Sequence, residues 1–233
     1  DVSRELFSEI NRAAQPILES GSGSPVQIRQ SHGGASKQAR SVIDGLDADV
    51  VTLNTVSDMD LIARRGGLLS TNWRSLKPGN SAPFSSVVVF LVRPGNPKHL
   101  QDWSDLTRTD VTLALANPKS SGSARVAHLS AWAHALRRFG GDEKQARQFM
   151  ADLYARVPVL DTGARGATIT FVDRQIGDAL ITLEAEQWVV ARQNPGARFE
   201  VVYPSISVDV EMPVAVVERI ARKHGTWELA NRY

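Results

Sequence analysis

The chain has 233 residues with 27 Lys and Arg against 25 Asp and Glu, a net charge of +2, and no cysteine. Basic residues are spread along it, which excludes the charged footprint of a nucleic-acid binder, and the missing thiols exclude disulfides, thiolate metal sites and Cys nucleophiles. No apolar run approaches the roughly 20 residues that span a bilayer and no leader pattern is present, so the reading is a soluble mature chain, or part of one.

The first predicted helix covers 3–20, with Leu6, Phe7, Ile10, Ala14, Ile17 and Leu18 at helical spacing and Asp1 or Ser3 as its cap. Pro16 inside it predicts a kink or an end near Ala14. Gly21-Ser22-Gly23-Ser24-Pro25 reads as a turn, and residues 26–30 alternate like a half-buried strand. Then Ser31-His32-Gly33-Gly34-Ala35-Ser36 forms a small-residue turn before a helix carrying Ala39, Val42, Ile43 and Leu46. A strand over 49–53 and a short helix over 57–65 follow, the latter opening on Asp58 and Asp60 as a solvated start. The run 86–92 is almost continuously apolar, as in a central strand, and 94–110 reads as turns covering Trp103 and Leu106.

Residues 111–116 are a buried strand that leads into Asn117-Pro118-Lys119-Ser120-Ser121-Gly122-Ser123-Ala124-Arg125 and a helix over 121–139. Pro118 sets a turn, Ser120 or Ser121 caps, and Gly122 leaves the backbone open to a ligand. Unpaired N–H groups and the positive end of the helix dipole make this a place for an oxyanion, although the nine residues alone equally suit a plain Ser cap. A helix begins at 141–142, and residues 157–160 lead into a third small-residue turn, Asp161-Thr162-Gly163-Ala164-Arg165-Gly166. Another helix, a strand over 178–183, a helix over 184–193, a strand over 199–203 and a helix over 214–223 complete the series. Strands alternating with helices imply βαβ units, parallel-rich sheets and ligands beyond the carboxyl ends of strands.

Three turns of one design favour a cradle of backbone donors over three unrelated caps. No phosphate-binding loop, metalloprotease helix or nucleophile elbow is present, and Ser121 and His128 lie too far apart on one helix to form a nucleophile–base pair. His99, His128, His134 and His224 show no metal-ligand spacing, so no metal and no cofactor is expected. His32 reads either as a ligand contact or as a residue bonded to backbone, and Arg165 as facing an anion or as bridged to fix its turn.

Gln30-Ser31-His32-Gly33-Gly34, Ser81-Ala82-Pro83, Phe90-Leu91-Val92-Arg93, the 117–122 turn and the 161–166 turn together resemble the bacterial periplasmic sulfate-binding proteins, the substrate-binding components of sulfate/thiosulfate ABC importers. The resemblance runs from Asp1 to Tyr233. It implies an α/β, two-lobed type II periplasmic-binding-protein fold, with lobe one at 1–84 and 203–233 and lobe two at 85–202. It also implies that the family's first strand and C-terminal helices lie outside this chain. By resemblance, the ligand-binding positions are the Asp1 backbone, Ala35 with Ser36 beside it, Ser121, Gly122, Ser123 and Ala164. Leu183 stands where the family places an indole donor. Ala35 replaces a usual Ser and Ser123 a usual Gly. The implied protein is a periplasmic monomer and not an enzyme; its partners are sulfate or thiosulfate and a membrane permease, with no nucleic acid. The alternative is a degenerate member with a structural or partner-binding role.

Overall fold

A computed structural model of the chain describes residues 3–194 and 196–233. The chain divides into two units, Asp1–Ser85 with Glu211–Tyr233, and Ser86–Val210. It passes between them in two short strands, β2 (Ser85–Ser86) and β8 (Val210–Glu211). The second crossing falls later than the expected 202/203 because residues 205–208 are fastened to the second unit. Trp103 Nε1 donates to Ile206 O at 2.7 Å, Val88 N to Ser207 Oγ at 2.7 Å and Val208 N to Ser130 Oγ at 3.0 Å.

The first unit holds α1 (Ser3–Ser22), α2 (Ala35–Ile43), β1 (Val50–Thr52), α3 (Val56–Arg64), β9 (Val214–Val216), α8 (Glu218–His224) and α9 (Trp227–Arg232). Its core packs Ala39 and Val42 of α2 against Met59 and Ile62 of α3, with Trp73 and Val217 completing the cluster. The end expected near Ala14 does not occur. A proline deletes one N–H, and with Phe7 and Leu18 buried on either side of it α1 continues through to Ser22. Gly23, at φ +68°, ends the helix by donating to Glu19 O at 2.9 Å.

Two further expectations are corrected here. Val26 and Ile28 are half-buried in the alternation the sequence shows, but no strand among the described residues pairs with 26–30. Residues 214–216 form no helix; they are β9, antiparallel to β1 with Val50 opposite Val216 and Thr52 opposite Val214. Val214, Val216 and Val217 suit a pleated surface, and α8 starts only at Glu218.

The second unit is built on a sheet ordered β5-β4-β6-β3-β7, with β3 (Val88–Val92), β4 (Leu113–Ala116), β5 (Leu160–Asp161), β6 (Ala179–Leu183) and β7 (Glu200–Val202). Helices α4 (Gly122–Arg138), α5 (Glu143–Ala155), α6 (Ala164–Val172) and α7 (Glu184–Gln193) accompany it. Here β4 runs parallel to β5 and β6, as helical crossovers require, but β3 is antiparallel to β6 and β7. The sheet is therefore mixed: the chain enters on β3 and reaches β4 through loops and a 3₁₀ turn (Trp103–Thr107), with no crossover helix to impose parallel pairing. Every residue of β3, β4 and β6 is buried.

Candidate oxyanion site

In the second unit, β4, β5 and β6 are parallel neighbours, so the segments leaving their carboxyl ends emerge along one edge of the sheet. Ala116 pairs with Asp161, which brings the turn before α4 beside the turn before α6. Asn117 shapes the first turn: its N–H donates to Asp161 O at 2.7 Å, its Oδ1 accepts from Lys119 N at 2.9 Å, and its carbonyl accepts from Ser121 N at 2.9 Å. Ser120 Oγ donates to Thr162 O at 2.8 Å and ties the two turns together.

Ser121 is the N-cap of α4, and its Oγ accepts from Ala124 N. Ser123 Oγ lies 3.0 Å from Ser121 Oγ, and both side chains are buried, at 3% and 6% exposure. Gly122 and Ser123 occupy the first turn, where backbone N–H groups have no acceptor four residues back within the helix. At α6 the cap is Gly163 in extended conformation with no side-chain bond, and buried Ala164 follows as the first helical residue. Asp161 packs against this start: a Cβ at Gly166 would stand 3.0 Å from Asp161 Cβ, tight enough that the Asp161 side chain would have to shift by a few tenths of an ångström.

In the first unit, α2 also starts from a glycine cap, Gly34, with no side-chain bond, and buried Ala35 is its first residue. Ser36 is turned to the protein: its Oγ donates to Asp58 Oδ1 at 3.1 Å. Asp58 is 4% exposed and also accepts from Thr55 Oγ1. The solvated start expected at Asp58 is thus corrected; the hydroxyl partners that bury it come from a different element and a neighbouring turn. Asp60 is likewise engaged, accepting from Trp73 Nε1 at 3.0 Å. His32 bonds the Gln30 side chain at 2.7 Å and no backbone group among the described residues, and burial first, then the charge of Arg4, pushes its pKa down. Arg165 donates to Gln193 Oε1 at 2.9 Å, a neutral partner where a salt bridge was one of the two readings.

Helix starts ordinarily attract Asp and Glu because the dipole is positive there. Among the described residues, α1, α3, α5, α7, α8 and α9 each carry an acid in the first turn, and α2, α4 and α6 carry none. These three are the helices that open on the small-residue turns. The same difference is legible in the sequence, where the residues that open these three helices include no Asp or Glu. Leu183 stands apart: it is the N-cap of α7, 0% exposed, and Glu184 and Glu186 occupy the turn behind it. Position 1 lies outside the described residues.

Residues 5–231 match the family model of the bacterial extracellular solute-binding proteins, and the chain belongs to that family. The whole chain is 49% identical to a thiosulfate-binding protein of Pseudomonas aeruginosa and 47% identical to a sulfate-binding protein of Escherichia coli, covering 70% of each. The solved structure of the sulfate-binding protein SubI from Mycobacterium tuberculosis H37Rv superposes with a TM-score of 0.78 at 29% identity, over 94% of this chain and 80% of that one. A periplasmic molybdate-binding protein of Azotobacter vinelandii shares the fold at a TM-score of 0.59 and 14% identity, covering 97% of this chain and 87% of that one. The fold is that of the type II periplasmic binding proteins.

Proposed function

We propose that this protein captures sulfate or thiosulfate in the periplasm and delivers it to the membrane permease of an ABC importer, catalysing nothing. The observation that carries the reading is the absence of first-turn acids at α2, α4 and α6, the three helix starts that leave amides for an anion. In the second unit the donors would be the amides at Gly122, Ser123 and Ala164 with whichever hydroxyl of the Ser121–Ser123 pair is not given to the other, and the first unit offers the amides at Ala35 and Ser36. Relatives bearing sulfate- and thiosulfate-binding names over the whole chain support transport over a purely structural role.

A set of neutral donors suits an anion that carries no proton. Sulfate and thiosulfate meet that condition at neutral pH, whereas a proton on phosphate would face a donor and cost roughly 1–3 kcal/mol. Calorimetric titration with sulfate, thiosulfate, phosphate and molybdate tests the proposal. It expects tight, one-to-one binding of sulfate or thiosulfate and at least about tenfold weaker binding of phosphate at pH 6. No heat with either sulfur oxyanion, or phosphate as the best ligand, would overturn it.

A further inference from the structure

Arg93 follows β3, and the register Val88 to Leu183 and Val92 to Ala179 sets it at the opposite end of β6 from Leu183. Its guanidinium lies 4.0 Å from the Phe171 ring centroid and 5.9 Å from that of Phe199. Nε donates to Gly177 O at 2.9 Å, and Nη2 donates to Gly177 O and Phe171 O at 2.7 and 3.0 Å. Three N–H groups are thereby used on carbonyls. The two on Nη1 have no acceptor among the described residues, and no carboxylate there lies within ion-pair distance of Arg93. Asp178 acts on the cation only through space, since its Oδ2 accepts from Thr112 N at 2.8 Å. Burial lowers the guanidinium pKa, the mark of a cation short of compensating charge.

Beside this cation is a cleft of about 410 Å³ whose walls include Pro94, Val172, Gln175, Asn194 and Phe199. That volume falls within the roughly 300–1,000 Å³ of small-molecule sites. Gln175 stands at the rim in left-handed conformation, φ +56°, a strained choice for a residue other than glycine, and its side-chain amide has no partner among the described residues. The lining thus combines aromatic and aliphatic surface with a cation and an amide.

We propose that this cleft is a second ligand site, for a small organic carboxylate with an apolar or aromatic body. The carboxylate sits on Arg93 Nη1 within reach of the Gln175 amide, and the body lies against Phe199 and Val172. A carboxylate supplies the planar pair of acceptors that a guanidinium edge matches, and the apolar wall selects against fully hydrated inorganic anions. The site is independent of the oxyanion site.

The test is a titration of the isotope-labelled full chain with sodium benzoate, followed by amide NMR, with benzamide as the uncharged counterpart. Saturable shifts at Gly177, Asn194 and Phe199 are expected, with a dissociation constant of about 1 mM and benzamide at least about tenfold weaker. Saturating sulfate is expected to leave the benzoate shifts in place. Because Arg93 also binds two carbonyls, its replacement risks the fold; Ala197→Trp fills the cleft from another wall and should abolish binding. Absence of saturable shifts up to about 20 mM benzoate overturns the proposal. So do equal affinity for benzamide, displacement by sulfate, or wild-type binding by a folded Ala197→Trp variant.

Discussion

Ser120 Oγ donates to Thr162 O at 2.8 Å, so the turn that opens α4 is bonded to the turn that opens α6. With Asn117 N on Asp161 O and the adjoining β4–β5 pairing, this bond fixes the spacing of the two helix starts. Ser120→Ala removes the side-chain bond and leaves the backbone bond. It is expected to cost about 0.5–1.5 kcal/mol in denaturant unfolding and to weaken sulfate severalfold through loss of positioning. A stability loss with unchanged affinity would separate the tie from the site.

Ser36 behaves differently from Ser121 and Ser123 because its hydroxyl serves Asp58. Ser36→Ala withdraws a donor from a buried carboxylate, at an expected cost of about 1–3 kcal/mol. Calorimetry on the folded variant should show sulfate affinity within about threefold of wild type, since the α2 amides remain. A loss of more than about tenfold would mean the hydroxyl reaches the anion.

How much of this was legible before folding follows from how local each cause is. The three turns are local: Gly and Ser, then a helical period, and α2, α4 and α6 start where the sequence indicated, though only the second and third turns follow a strand. The burial of Asp58 depends on Ser36, twenty-two positions away, and no pattern around Asp58 reveals it. The run Val214-Ala215-Val216-Val217 suits a helix or a strand, and the partner that decides, Val50–Thr52, is remote in sequence. Pro16 does not end α1 because a single missing N–H is outweighed by packing at Phe7 and Leu18. The antiparallel placement of β3 is a matter of topology, which strand–helix alternation does not encode.

Burial first of all holds the His128 and His134 imidazoles below the ordinary value of 6.5. Around His134, Asp102 pulls the pKa up while Arg138 and Arg137 push it further down, and Ser104 Oγ meets its Nε2 at 3.0 Å. His128 faces Tyr154 Oη at 3.0 Å. As pH falls through 6.5, the unfolded chain takes up these protons before the folded one, so stability should decline below that pH. Denaturant midpoints are expected to drop between pH 7 and 5, with both imidazoles titrating below 6.5 by NMR. Titration of either above 6.5 would contradict the assignment.

Leu183 fills its position completely, opposite Val88 on the neighbouring strand. Leu183→Trp enlarges a closed core and is expected to cost about 1–3 kcal/mol. Because Glu184 and Glu186 follow it, the indole should bring no gain in sulfate affinity. Tighter sulfate binding by the Trp variant would show that the ring reaches the ligand.

In the proposed function backbone amides at helix starts hold the oxyanion, and Ala164 isolates that role. It is the first residue of α6, a position where proline is tolerated, and Gly163 before it is already extended. Ala164→Pro therefore deletes one N–H, and because the ring also adds bulk at a buried position the affinity is read on a variant shown to be folded. Side-by-side calorimetry is expected to show sulfate bound about ten- to 100-fold more weakly by the variant, with unfolding free energies within about 1 kcal/mol. Unchanged sulfate affinity in the folded variant would contradict the account.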